Sequence, residues 1–225
     1  HPIQNAMDMF ERIRQTQDYS LRMPVESKDE LGKMAEGINE LMDYVEEKHE
    51  QEKNAQQKLQ MQADSDPLTG VMNKRAFEAY AREKAEYAAK HGEQIIFGFL
   101  DVDDFKKFNT EYGHQQGDEI LCYVAQTLQS LFPGEVGRIG GDEFVFCYVG
   151  EISGEQIRTD ANTVIKRLAE EYQSTTEDCH MAITGSLGVV TTKKSLDYIE
   201  LVRCADLAMY RAKGQGKNIA VVLEV

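Results

Sequence analysis

Hydrophobic spacing changes character once along this chain, near Ser65. Before that point apolar residues recur only in steps of three and four. After it, helical spacing alternates with short unbroken apolar runs. One kind of element cannot satisfy both patterns, because a helix presents the same face every 3.6 residues and a strand every two. The chain is therefore expected to pair an all-helical part, residues 1–64, with a mixed α and β part from Ser65 to Val225. A total of 225 residues suits that division into one full-sized domain and a smaller appendage.

In the helical part Ile3, Met7, Phe10 and Ile13 form an apolar stripe, which predicts an amphipathic helix. From Gln17 to Lys28 the pattern stops, and Pro24 marks an extended connector with Leu21 and Val25 as apolar anchors. Asp29 is placed to cap a second helix, in which Leu31, Met34, Ile38, Leu41 and Val45 give the heptad seam of a coiled coil. Two such helices bury their seams best as a parallel four-helix bundle made by a homodimer. Past Val45 the seam falls on Lys48, Glu52, Ala55, Leu59 and Gln62, most of them poor core residues. Residues 48–64 therefore read as a marginal coiled-coil stalk that a small input can bias between two packings.

Charge narrows the partners. A formal net charge of -14 repels phosphate polymers, so neither a nucleic acid nor a broad anionic membrane surface is expected as a ligand. Any phosphate must be held locally. No stretch reaches the length needed to cross a bilayer. The four cysteines, Cys122, Cys147, Cys179 and Cys204, lie too far apart for a C-x-x-C metal or redox pair and read as reduced core thiols of a cytoplasmic protein. The opening His1-Pro2-Ile3 reads as the middle of a longer chain.

The mixed part carries the chemistry. Asp66 to Gly70 is a capped turn, and a helix is expected from about Asn73 to Lys90. Ile95 to Leu100 is a buried strand running into Asp101-Val102-Asp103, and an unpaired charge there would be costly to desolvate. Arg138-Ile139-Gly140-Gly141-Asp142-Glu143-Phe144 joins two strand patterns, Glu135 to Ile139 and Phe144 to Val149, as a hairpin. The glycine pair lets a ligand approach the main chain, and Asp142 and Glu143 bring two carboxylates to the tip. With the hairpin beside the first strand, Asp101 and Asp142 can share Mg²⁺, a hard ion that takes oxygen ligands and phosphate partners, with Mn²⁺ as the alternative. That pairing points to nucleotidyl transfer.

Two family resemblances follow from these residues. Pro2-Ile3, the connector, Asp29-Glu30-Leu31-Gly32 and Asn39 resemble a HAMP domain over residues 1–47, which implies an upstream transmembrane and sensor segment and a cytoplasmic fragment of an inner-membrane protein. Asp66-x-Leu-Thr-Gly, Asp101-x-Asp-x-Phe-Lys, Asn109-x-x-x-Gly-His, Gly117-Asp118, Arg138-x-Gly-Gly-Asp-Glu-Phe, Ser186-x-Gly and Ala205-Asp206-x-Ala-x-Tyr-x-Ala-Lys-x-x-Gly-x-Asn occur in one order. Together they resemble the GGDEF diguanylate cyclase family over residues 65–225. That resemblance implies an α+β domain with a central, mainly antiparallel sheet flanked by helices, similar to class III nucleotide cyclases and the polymerase palm. It implies condensation of two GTP into cyclic di-GMP across a homodimer, with release of two pyrophosphates.

Carried over by position, the resemblance makes Asp101, Asp142 and the carbonyl of Val102 the metal ligands. Glu143 becomes a second acid at the reacting ribose. Asn109 and Asp118 read guanine, whose N1-H and N2-H₂ edge a carboxylate can accept from. Lys106, Lys213 and Lys217 contact phosphate, and the backbone from Val102 to Phe105 wraps it, with Gly140 and Gly141 at the substrate. Arg138 is read as bracing the hairpin, with phosphate contact as the alternative; Leu201, Ala205, Ala208 and Met209 are core, and His114 and Lys107 receive no role. The chain departs from the family pattern at Thr110, where Asp is common, at Lys217, where Arg is usual, and at Leu131 and Gly134, where the product-inhibition R-x-x-D would stand. Feedback through that site is therefore not expected. The rival reading is a signalling module that binds GTP or cyclic di-GMP without catalysis.

Overall fold

Two long helices open the chain: α1 (Pro2–Thr16) and α2 (Glu30–Asp64). The structure is a computed structural model and describes residues 2–25, 29–170 and 183–225. Contacts divide it into two units, the first ending at Ala63 and the second beginning at Asp64.

In the first unit Asp29 caps α2 as expected, its carboxylate accepting from the N–H groups of Leu31 (3.0 Å) and Gly32 (3.2 Å). The connector is pinned to α2 by polar groups. Asn39 accepts from the Met23 N–H (2.7 Å) and donates to the Met23 carbonyl (3.0 Å), while Arg22 pairs with Asp43 (2.7 Å) and Glu46 (2.5 Å). The last connector residues, 26–28, lie outside the described residues.

Packing in this unit corrects one detail of the stripe read from the sequence. Ala6, Met9, Met23, Ala35 and Met42 are buried, with Ile13, Leu21 and Ile38 packed against them. Met7 (62% exposed), Phe10, Leu31, Met34 and Leu41 (58%) face outward. Each helix therefore carries two apolar arcs, one used within the chain and one left on its surface.

The second unit is built on a six-stranded sheet of order β1-β3-β4-β2-β5-β6. Its strands are β1 (Met72–Asn73), β2 (Ile95–Val102), β3 (Val136–Arg138), β4 (Glu143–Val149), β5 (Gly185–Thr192) and β6 (Ala220–Glu224). The central pairings β3·β4, β4·β2 and β2·β5 are antiparallel, whereas the outer pairings β1·β3 and β5·β6 are parallel. The sheet is thus antiparallel at its centre and mixed as a whole.

Helices cover both faces. Against one lie α4 (Phe105–Tyr112), α5 (His114–Leu131) and α6 (Gly154–Glu170), closing a core that contains Phe108, Ile120, Leu128, Phe144, Ile157 and Leu187. Against the other lie α3 (Lys74–His91) and α7 (Tyr198–Gly214), with Phe77, Phe97, Val145, Leu201, Ala205 and Met209 buried beneath them. Strand β2 feeds both cores by alternation, Ile96 and Leu100 pointing one way and Ile95, Phe97 and Phe99 the other. Helix α7 can approach β5 so closely only because Gly188 has no side chain: a Cβ there would strike the backbone of Ala205 and Met209. Cys147 is a buried free thiol, pushed up to about 12 by burial, and Cys122 and Cys204 are free as well. Cys179 lies outside the described residues.

Candidate active site

Strand register assembles the acidic edge. In the β2·β4 pairing Asp101 lies directly opposite Glu143, and in the β2·β5 pairing it lies opposite Ser186. Asp142 immediately precedes β4, and its carbonyl accepts from the N–H of Val102 (3.1 Å). The hairpin tip closes by a bond from the Ile139 N–H to the Glu143 carbonyl (3.0 Å). A side chain at Gly140 would collide with the Glu143 carboxylate, so that glycine makes room for the acid. Asp101, Asp142 and Glu143 thus share one edge, as the sequence implied for adjacent strands.

This edge is electrostatically strained. Burial, then the charges of Asp142 and Asp103, hold the Asp101 carboxyl above its usual range, although Lys213 pulls the other way. Burial, then the charges of Asp101, Asp142 and Asp206, raise Glu143 in the same direction. Among the described residues no three His, Cys, Asp or Glu side chains converge as a closed metal cage. Magnesium does not need one, because it typically uses one or two carboxylates and takes its remaining ligands from water and phosphate. Oxygen donors bearing surplus negative charge fit such an ion.

Two lysines complete the edge. Lys213, near the end of α7, pairs with Asp101 (2.8 Å), and Lys217, in the following loop, pairs with Asp104 (2.7 Å). Asp104 sits in left-handed backbone (φ 54°) just before α4. Lys106 is exposed on the first turn of α4, one residue beyond Phe105. Each lysine in the two ion pairs is therefore matched by a carboxylate of the chain where the sequence reading expected phosphate.

On the α4 and α5 side, the Oδ1 of Asn109 is buried and has no hydrogen-bond partner among the described residues. It is seated against Gly117, where any Cβ would collide with it. An orphaned buried acceptor is costly, and a ligand donor would relieve it. Asp118 follows on α5 with its side chain exposed.

Arg138 braces the hairpin as expected, and its partner was not named from the sequence. Its guanidinium donates to the Gly141 carbonyl (2.7 Å) and to Asp66 (3.0 Å), so the turn that opens the domain is tied to the hairpin tip. Burial alone would raise the Asp66 carboxyl, but hydrogen bonds from Thr69 and the pairing with Arg138 outweigh it and hold it below the usual range. Sequence reasoning also gave Gly117 and the side chains of Asp103, Asp104 and Asp206 no role, Asp103 and Asp104 entering only through their backbone. Asp103, Asp206 and Gly117 did stand inside the motifs named above, which was the available signal.

Comparisons with known proteins identify the family of each part of the chain. Residues 63–219 match the family described as diguanylate cyclase, GGDEF domain, and residues 1–47 match the HAMP domain. The diguanylate cyclase TpbB of Pseudomonas aeruginosa is 27% identical over 220 residues, covering 96% of this chain and 50% of that protein. The diguanylate cyclase DosC of Escherichia coli is 31% identical over 155 residues, covering 68% of this chain and 34% of that protein. The chain thus spans half or less of the length of these relatives. The solved coiled coil and GGDEF domain of DgcB from Caulobacter crescentus, in complex with c-di-GMP, superposes with a TM-score of 0.72 at 26% identity, covering 82% of this chain and 97% of that one. With the family matched over most of its length, the chain belongs to the GGDEF-domain diguanylate cyclase family, its GGDEF domain preceded by a HAMP domain.

Proposed function

We propose that this chain condenses two GTP into cyclic di-GMP and releases two pyrophosphates. The observation that carries the reading is the β2·β4 register, which sets Asp101 opposite Glu143, with Asp142 next to it in the chain, at one end of the two central strands. The site limits and roles follow the family by position. Residues 65–225 form the catalytic domain, residues 1–47 the relay and residues 48–64 the stalk.

Asp101, Asp142 and the Val102 carbonyl would hold Mg²⁺, which when bound supplies polarisation of the α-phosphate and a lowered pKa for the attacking 3′-hydroxyl. Glu143 is the neighbouring acid that takes the hydroxyl proton. Asn109 and Asp118 hold the guanine edge, the orphaned Oδ1 of Asn109 being supplied with a donor by the base. Lys106, Lys213 and Lys217 hold the phosphates. Lys213 and Lys217 exchange their carboxylate partners for phosphate oxygens on binding. Each domain holds one GTP, so two copies must face each other for either hydroxyl to reach the other's phosphate. The outward apolar arc of Met7, Phe10, Leu31, Met34 and Leu41 is the surface on which the helical units would pair. A HAMP relay implies an upstream sensor and a cytoplasmic catalytic domain. Among the described residues no helix is long and apolar enough to cross a membrane.

Incubation with GTP and Mg²⁺, with chromatographic separation of products, tests the reading. Cyclic di-GMP and pyrophosphate are expected from the parent, and neither from Asp142→Ala. GTP binding with no product from the parent, even with the dimer enforced by an engineered stalk disulfide, is the result of the rival binding module.

A further inference from the structure

The Asp101-Val102-Asp103 sequence offers two carboxylates, and the fold uses them differently. Asp103 is buried, at 7% exposure. A carboxylate there must find donors or lose its charge, and it finds three. Its oxygens accept from the hydroxyl of Ser186 (2.7 Å), the hydroxyl of Thr184 (3.0 Å) and the backbone N–H of Asn218 (3.0 Å). Its own N–H donates to the Thr184 carbonyl (2.9 Å).

Those bonds join three separate pieces of chain. One is the turn from β2 into α4, which carries Asp101 and Val102 on one side and Asp104 and Phe105 on the other. The second is the start of β5. The third is the loop between α7 and β6, in which Asn218 directly follows Lys217 and lies five residues beyond Lys213. That loop holds two successive left-handed residues, Lys217 (φ 64°) and Asn218 (φ 51°); asparagine tolerates this conformation, but for lysine it is unfavourable. Something must offset its cost, and a charge-assisted bond from the Asn218 N–H to a buried carboxylate does so.

We infer that Asp103 is the positioning residue of the triphosphate pocket: through Asn218 it fixes the loop that carries Lys217, directly after the end of α7 that carries Lys213. It is not itself a ligand of metal or substrate, because its oxygens are occupied by Ser186, Thr184 and Asn218 inside the fold. The inference rests on the reading of this site as one for GTP.

Affinity for GTP and for guanosine, measured by titration on the full chain, separates positioning from mere support of the fold. Asp103→Asn keeps the shape but loses the charge that holds the loop. It should weaken GTP about tenfold while leaving guanosine within about twofold. In a Lys217→Met background the same substitution should cost little further, since the lysine it positions is already gone. Thr184→Val, which removes a single donor from a half-buried residue, should shift GTP in the same direction by less, and it carries the comparison if Asp103→Asn does not fold. Equal weakening of GTP and guanosine, or unchanged GTP affinity in both variants, overturns the inference. A parent chain that binds no GTP overturns the functional reading on which it stands.

Discussion

Glu143 shows what the acidic edge costs. Its carboxyl is held above the usual range by burial first, then by the charges of Asp101, Asp142 and Asp206. A carboxyl that binds its proton more tightly folded than unfolded favours folding while protonated, and that advantage is lost as pH rises through the folded pKa. At pH 7 the ionised group therefore destabilises the domain. Glu143→Gln should raise the melting temperature by about 1 °C after allowance for solvent screening, and the gain should vanish below about pH 4, where the acid is protonated in both states. Melts of parent and variant across that range check it. Asp104 is a second case. Its carboxylate occupies the ammonium of Lys217 in a half-exposed pair that is cheap to break. Asp104→Asn should tighten GTP binding about two- to fivefold by removing both the competitor and a repulsive charge, read by the same titration. Asp101 was legible in the sequence because it ends an apolar run, and Asp142 because it follows a glycine pair between two strand patterns. Asp103 was not, since its donors Thr184, Ser186 and Asn218 lie 81, 83 and 115 residues away and only the fold brings them to it.

At the scale of elements, two contacts decide whether the edge holds its geometry. Gly188 admits α7 onto β5, and the atoms a Cβ would meet are backbone of Ala205 and Met209, which cannot swing aside. Gly188→Ala should therefore cost about 3 kcal/mol, measured by denaturant unfolding, and displace Lys213 along with its helix. Arg138 links the Gly141 carbonyl to Asp66 in a pair whose side chains are only 13% and 17% exposed. Arg138→Ala leaves the part-buried Asp66 without its cation. A loss of about 3 kcal/mol is expected, together with sharply lower turnover as the hairpin tip loosens. Periodicity located α3, β2, β3 and β4 to within two residues, whereas no bounds were read for α4 to α7 or for β5. Strand β2 continues through Val102, beyond the expected Leu100, because Asp101 and Val102 still pair with β5. The parallel outer strands β1 and β6 were not legible: Met72–Asn73 is too short to show a period, and the partners of Ala220–Glu224 lie far back in the chain.

For the whole molecule, the proposed reaction requires two copies to meet. The seam read from the sequence mixes residues that pack within the chain, such as Ile38, with residues that remain on its surface, such as Met34 and Leu41. A single sequence cannot separate the two arcs, because both obey the same spacing. If the outward arc pairs two copies, Met34→Glu with Leu41→Glu should convert dimer to monomer in analytical ultracentrifugation and lower cyclic di-GMP formation, while GTP affinity per chain stays within about twofold. The central claim is that each product molecule needs two intact copies. The most direct test co-expresses parent chain with Asp142→Ala chain and measures cyclic di-GMP formed per parent chain as the mixture is varied. Random pairing predicts a fall to about half at an equal mixture and a continued fall as the variant becomes the majority. Output per parent chain that does not change with the mixture would contradict the account.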